Sequence, residues 1–153
     1  MDLNTRRAID YRRFVDISVY LCGFDSAELQ GTGMAQKYFE VILLNSDPDD
    51  VRPFFDAVGR VLSYAPSLAR IEAEIAANLM SVDAYRALAR NIIVLWYTGN
   101  WNGIPVSAEA YKQGLMWIAA ETHPSGAKQP GYGSWASLPV SIGVKPGRTK
   151  HGK

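Results

Sequence analysis

The chain reads as an all-α protein, a helical bundle that ends in an irregular arm rich in glycine, proline and aromatic residues. Three observations predict this. Apolar residues recur at three- and four-residue steps through most of the first 120 positions, which is the period of one helix face. No convincing two-residue alternation marks a strand. Between His123 and Pro139, Pro124, Gly126, Pro130, Gly131 and Gly133 exclude a long helix or a central strand, because proline lacks the backbone donor and glycine loses too much freedom.

The first helix is expected from about Thr5 to Leu21. Phe14, Ile17, Ser18 and Leu21 share one face, Arg6, Arg7, Asp10, Arg12 and Arg13 populate the others, and Gly23 ends it. Asp25 can cap a second helix, with Glu28 reaching back and Phe24 stapling against Leu29. Gly31-Thr32-Gly33 breaks the chain before Met34, Tyr38, Phe39 and Ile42 resume the helical step. Residues 45–50 form a loop in which Asp49 or Asp50 caps the next helix, leaving Pro53 in its first turn and burying Phe54 or Phe55, Val58 and Leu62. Pro66 opens a helix with Leu68, Ile71, Ile75 and Leu79 inward and Arg70, Glu72 and Glu74 outward. Ser81 caps its successor, whose stripe of Tyr85, Leu88, Ile92, Leu95 and Trp96 ends at Thr98-Gly99. Ser107 caps a last short helix running to about Ala120. The resulting division is a helical domain over 1–122, an extended partner-binding arm over 123–144 and a basic disordered tail over 145–153.

At 153 residues the chain is long enough to bury one core without disulfides or metal. Sixteen basic against fifteen acidic residues give a net charge of +1, which offers no field for nucleic acid or an anionic membrane. The single cysteine, Cys22, lies in an apolar helical run and reads as a buried thiol, with a covalent link to another chain as the sharper alternative. No run approaches the ~18 apolar residues of a membrane span, and residues 1–10 do not resemble a signal peptide.

Catalytic chemistry finds few residues to use. The two histidines are His123 and His151, and neither stands at a metal-ligand spacing from carboxylates or Cys22. No Gly-x-Ser-x-Gly elbow accompanies them. Gly31-Thr32-Gly33 lacks the third glycine and the preceding strand of a dinucleotide fingerprint. Asp47, Asp49 and Asp50 lack the glycine and bidentate acid of a calcium loop, and Glu72 and Glu74, two residues apart, point to different sides of a helix. No metal or cofactor is therefore expected in this chain. The aromatics point elsewhere. Trp96, Tyr97, Trp101, Trp117, Tyr132 and Trp135, with His123 and Leu138, have the character of interface anchors, which bury much area with few rotatable bonds; Trp96 also fits a core position.

Phe14-Val-Asp-Ile-Ser-Val-Tyr-Leu-Cys-Gly-Phe24, Ile93-Val-Leu-Trp-Tyr-Thr-Gly99, the segment Tyr111 to Trp117, and Gly131-Tyr-Gly-Ser-Trp-Ala136 carry a family likeness. Over about Phe14 to Pro139 the sequence resembles the small subunit of bacterial membrane-associated, FAD-dependent sugar and polyol dehydrogenases, the sorbitol, fructose and glucose dehydrogenase complexes. Leu95-Trp-Tyr-Thr-Gly99 and Gly131 to Ala136 are its most specific pieces. The resemblance implies a subunit without a cofactor of its own, paired with a large FAD-containing flavoprotein of the glucose–methanol–choline type, often with a multihaem cytochrome c. It implies stabilisation and periplasmic export of the flavoprotein, in a family whose small subunit usually supplies a twin-arginine signal; Met1 to Asp10 does not match one. Two rival readings remain, a helical adaptor for an unrelated partner and a small enzyme built on His123 and Glu121.

Overall fold

A computed structural model describes residues 1–64 and 67–124, and in these the chain is a bundle of α-helices with one two-stranded hairpin. The helices are α1 (Leu3–Cys22), α2 (Ser26–Gly31), α3 (Ala35–Asn45), α4 (Pro48–Tyr64), α5 (Leu68–Asn78), α6 (Asp83–Thr98), α7 (Ala108–Lys112) and α8 (Leu115–Ala119). The strands β1 (Asn100–Trp101) and β2 (Ile104–Pro105) pair antiparallel between α6 and α7. None of the described helices is long and apolar enough to cross a membrane.

The central helix is α1, which packs against α2, α3, α4 and α6. Asp2 accepts the Thr5 backbone N–H at its start, and Gly23, at a φ of 75°, closes its end in the left-handed region. Phe14, Ile17 and Ser18 are fully buried as the spacing predicts. Asp10 is a correction: expected on the polar side, it is buried, because Arg6 Nε and Arg13 Nη1 donate to its two oxygens at 2.8 and 3.3 Å. Both arginines also reach Asp56 of α4 at 3.0 Å, so four charges clamp α1 to α4. Asp10, and less strongly Asp56, hold the Arg6 guanidinium charged beyond its ordinary range.

The Asp25–Glu28 capping box forms as expected, with both bonds at 2.8 Å. Phe24, expected to staple Leu29, sets its ring edge-on to Tyr97 of α6 at 6.1 Å. The start of α4 differs from expectation. Asp47 receives the Asp49 N–H at 2.8 Å, the helix begins at Pro48, and Pro53 lies inside it instead of in the first turn. Proline suits the first position, where no intrahelical donor is required, so Pro48 takes the place assigned to Pro53. Phe54 and Phe55 are both fully buried.

Pro66, expected to open α5, lies outside the described residues, and Ser67 supplies the cap by accepting the Arg70 N–H. Ile75 and Leu79 are buried, whereas Leu68 is 61% exposed, because α5 lies at the edge of the bundle and packs mainly on α4. Ser81 does not cap α6. Its hydroxyl donates to the Ala77 carbonyl of α5 at 2.6 Å, and Val82 holds the cap position with no side-chain bond.

The expected helix from Ser107 to Ala120 is two pieces. Ser107 does cap α7, accepting the Ala110 N–H at 3.1 Å, but the chain turns at Gly114 before α8. A Cβ at Gly114 would stand 2.6 Å from the Tyr97 carbonyl oxygen, so the turn lets the backbone lie directly on α6. The hairpin was also not anticipated, although Asn102 and Gly103, both at positive φ (48° and 80°), are the pair that a two-residue type I′ turn requires.

At its C-terminal end α8 closes with Glu121 in the left-handed region (φ 51°), as the Glu121 and Thr122 N–H groups return to the Ile118 and Trp117 carbonyls. Glycine occupies that conformation without the cost that a Cβ imposes. Glu121→Gly should therefore stabilise the fold by about 1 kcal/mol, read as a higher urea midpoint at unchanged slope. A lower midpoint would mean that the glutamate side chain makes a contact worth more than the strain. Residues 125–153, and with them nearly all of the arm and the whole tail, lie outside the described residues.

Candidate partner-binding surface

Eight side chains were expected to meet a partner, and five of them lie among the described residues. Trp96 belongs to the core. It is fully buried, stacked on Phe14 (centroids 5.8 Å apart, planes 10° apart) and edge-on to Tyr38 at 5.0 Å. Its indole N–H donates to Ser18 Oγ at 2.9 Å, while that hydroxyl donates to the Phe14 carbonyl at 2.7 Å. No face of Trp96 is left for another chain, which corrects its assignment as an anchor. Trp101 is corrected likewise, being only 7% exposed where β1 lies on α6, with an indole N–H that finds no acceptor among the described residues.

Tyr97, Trp117 and His123 keep part of their surface. The Tyr97 hydroxyl donates to the Cys22 carbonyl at 2.8 Å, tying the end of α6 to the end of α1. Trp117 donates its indole N–H to the Tyr111 carbonyl at 2.8 Å and meets the Tyr111 ring edge-on at 5.3 Å. With Gly114 lying on the Tyr97 carbonyl, these residues form one aromatic corner where α6, α7 and α8 meet. His123 is half-buried just beyond α8, its Nδ1 3.5 Å from the Pro124 carbonyl. Tyr132, Trp135 and Leu138 lie outside the described residues.

The remaining chemistry is sparse. Among the described residues no group of three or more His, Cys, Asp or Glu is placed to hold a metal ion. Grooves of about 860 and 620 Å³ are present, the first along α1, α2 and α4 and the second among α4, α5 and α6, and neither is lined by Glu121 or His123. The first groove and the Arg6–Asp10–Arg13–Asp56 clamp were missed by sequence reasoning. The 3–4 spacing of Arg6, Asp10 and Arg13 was visible, but only the position of Asp56, 43 residues beyond Arg13, turns a cluster on one helix into a part-buried bridge between two.

Cys22 is a buried free thiol, and burial pushes its pKa up from 9.0 to about 12. Burial pushes the Tyr38 phenol upward as well. Both groups are held neutral in the folded state and ionise at lower pH in the unfolded chain. Their contribution to stability is complete below about pH 9 and is lost as the pH rises toward 12. The urea midpoint should accordingly fall between pH 8 and pH 11, and Cys22→Ala should make that fall shallower. An equal fall in the variant would mean that the thiol titrates normally.

Comparisons with protein-family models, with curated proteins and with solved structures found no match.

Proposed function

We propose that this chain is the non-catalytic small subunit of a bacterial FAD-dependent sugar or polyol dehydrogenase, stabilising the large FAD-containing subunit of glucose–methanol–choline type and helping its export to the periplasm, with a multihaem cytochrome c as a further member of the complex. The reading begins from the likeness of Leu95-Trp-Tyr-Thr-Gly99, Tyr111 to Trp117 and Gly131 to Ala136 to that family.

The observation that carries it is the use the fold makes of the first two runs. Trp96 is core, Tyr97 ties α6 to α1, and Tyr111, Gly114 and Trp117 build the aromatic corner on which the described chain ends. The residues of the two runs that resemble the family therefore pack α6, α7 and α8 together, instead of converging on ionisable groups. A subunit of this kind acts by mass action. Binding only the folded flavoprotein, at a concentration a thousandfold above Kd, stabilises it by about 4 kcal/mol.

The test is co-expression with a flavoprotein of the stated type. The chain should retain it through purification, with bound flavin, and raise its thermal midpoint, while the isolated chain oxidises no sugar or polyol with an artificial electron acceptor. Turnover by the isolated chain would overturn the proposal. Recovery of a large partner without flavin would replace it with the adaptor reading.

A further inference from the structure

Between β1 and β2 the chain turns on Asn102 and Gly103, both exposed and both at positive φ. Asparagine followed by glycine suits that turn best. The same pair carries a chemical liability. The side-chain amide of asparagine is thermolabile, because the backbone nitrogen of the next residue can attack its carbonyl carbon and close a succinimide ring. Three conditions favour the attack. The nitrogen must be free of a hydrogen bond, no side chain on the next residue must crowd it, and water must reach the ring.

All three hold at Asn102. The Gly103 N–H makes no hydrogen bond among the described residues, since the strands pair through Trp101 and Ile104 on either side of it. Gly103 has no side chain, and even a Cβ there would meet nothing within 4 Å. The amide under attack is also prepared. Its Oδ1 accepts a hydrogen bond from Asn91 Nδ2 of α6 at 3.3 Å, which draws charge from the carbonyl carbon and steadies the oxyanion that develops there. The other five asparagines, Asn4, Asn45, Asn78, Asn91 and Asn100, are each followed by a residue with a side chain. Their neighbouring nitrogens are held. The Thr5 N–H donates to Asp2 at 2.8 Å, those of Ser46 and Leu79 to the Ile42 and Ile75 carbonyls at 3.1 and 2.9 Å, and Ile92 and Trp101 lie within α6 and β1.

We propose that Asn102 is a site of spontaneous deamidation that opens the hairpin as the protein ages. The Gly103 nitrogen gives its proton to hydroxide and bonds to Asn102 Cγ; the Cγ–Nδ2 bond breaks, and ammonia leaves with a proton from water. Water then opens the succinimide at either of its carbonyls. Opening at Cγ gives aspartate, whereas opening at the backbone carbonyl carbon gives isoaspartate, whose main chain runs through the former side chain. Water is consumed, ammonia is released and nothing is oxidised or reduced.

The two products differ in effect. Aspartate keeps the turn, because Asp-Gly fits it as Asn-Gly does. Isoaspartate adds a main-chain methylene to a two-residue turn, and strands of only two residues have no further pairs to hold the register. The damage spreads through what the hairpin positions. β1 sets Trp101 against α6, and the Val106 N–H, just past β2, reaches the Gly99 carbonyl at 2.9 Å where the chain leads into α7. Deamidation to isoaspartate therefore loosens Trp101 and the approach to α7, and does so irreversibly.

The experiment ages the full chain in mildly alkaline water labelled with heavy oxygen and maps its peptides by mass spectrometry. Asn102 should take up the label at least tenfold faster than any other asparagine, with isoaspartate as the larger product. Label at Asn102 only after unfolding in urea, or at the rate of the other asparagines, would overturn the site. The isoaspartyl fraction, separated by chromatography, is then compared with fresh chain and with Asn102→Asp, which carries the new charge without the added methylene. Its urea midpoint should fall below that of fresh chain, while Asn102→Asp should keep it. Equal midpoints for the isoaspartyl chain and Asn102→Asp would overturn the opening of the hairpin.

Discussion

Trp96→Ala is expected to cost about 4 kcal/mol, a large part of the 5–15 kcal/mol that keeps a domain folded. The indole is fully buried and joins α6 to two other helices, through Phe14 and Ser18 of α1 and Tyr38 of α3. Its removal opens a void that the Tyr38 ring, edge-on at 5.0 Å, and the Phe14 ring, stacked at 5.8 Å, cannot close without leaving their rotamers. It also strips Ser18 Oγ of a donor in a site that excludes water, although that hydroxyl still donates to the Phe14 carbonyl. Trp96→Phe serves as the control. It retains a ring against Phe14 and should cost about half as much, since the lost hydrogen bond and the smaller void each contribute about 1 kcal/mol. Urea denaturation of the isolated chain measures both. A loss under about 1 kcal/mol for the alanine variant would place Trp96 at a surface, and would return it to the partner contacts from which its burial removes it.

The contrast between Trp96 and Tyr97 shows where sequence reading reaches its limit. The stripe from Tyr85 to Trp96 gave the buried face of α6 directly, because a 3.6-residue period fixes which residues share a face. That rule says nothing about what stands opposite. Tyr97 is half-buried because its hydroxyl meets the carbonyl of Cys22, 75 residues away. The same limit governs charge. Asp10 belongs to a polar stretch of α1 and is buried with Arg6 and Arg13 bonded to it, a pair of arginines that α4 also engages through Asp56. Caps were legible where their chemistry is local, as at Asp25, Glu28 and Ser107, and failed at Ser81, whose hydroxyl took the nearer carbonyl of its own preceding helix. The hairpin could have been read. Trp101-Asn102-Gly103-Ile104 carries the strongest short-range turn signal, but each strand is only two residues long, too short for any alternation to appear. The candidate surface was legible in its chemistry and not in its placement: the aromatic composition pointed to contacts, while tertiary packing decided that Trp96 and Trp101 face inward and that Tyr97 and Trp117 are only partly buried.

Gly99→Ala is the second large effect, and a matched control isolates its cause. Gly23 and Gly99 look alike in the sequence, each ending an apolar helix, and their backbones are alike in the structure, with φ of 75° and 71°. For an alanine in that left-handed region the conformational cost is about 1–2 kcal/mol at either position. Their surroundings differ. A Cβ at Gly23 meets nothing within 4 Å, whereas one at Gly99 would stand 2.6 Å from the carbonyl carbon and oxygen of Ala110 and 2.9 Å from the Tyr111 nitrogen. Those are backbone atoms and cannot rotate aside, so α7 must lift from the end of α6, straining the Gly99 carbonyl that accepts the Val106 N–H at 2.9 Å. Gly23→Ala should therefore lose about 1 kcal/mol and Gly99→Ala at least about 3 kcal/mol, the difference measuring the close approach alone. The displaced elements carry Tyr111, Gly114 and Trp117, so on the function proposed above the same substitution should also weaken retention of a flavoprotein partner, while Gly23→Ala should not. Equal losses of stability in the two variants would show that α7 does not lie on Gly99, and would remove the rigid base from which the aromatic corner is built.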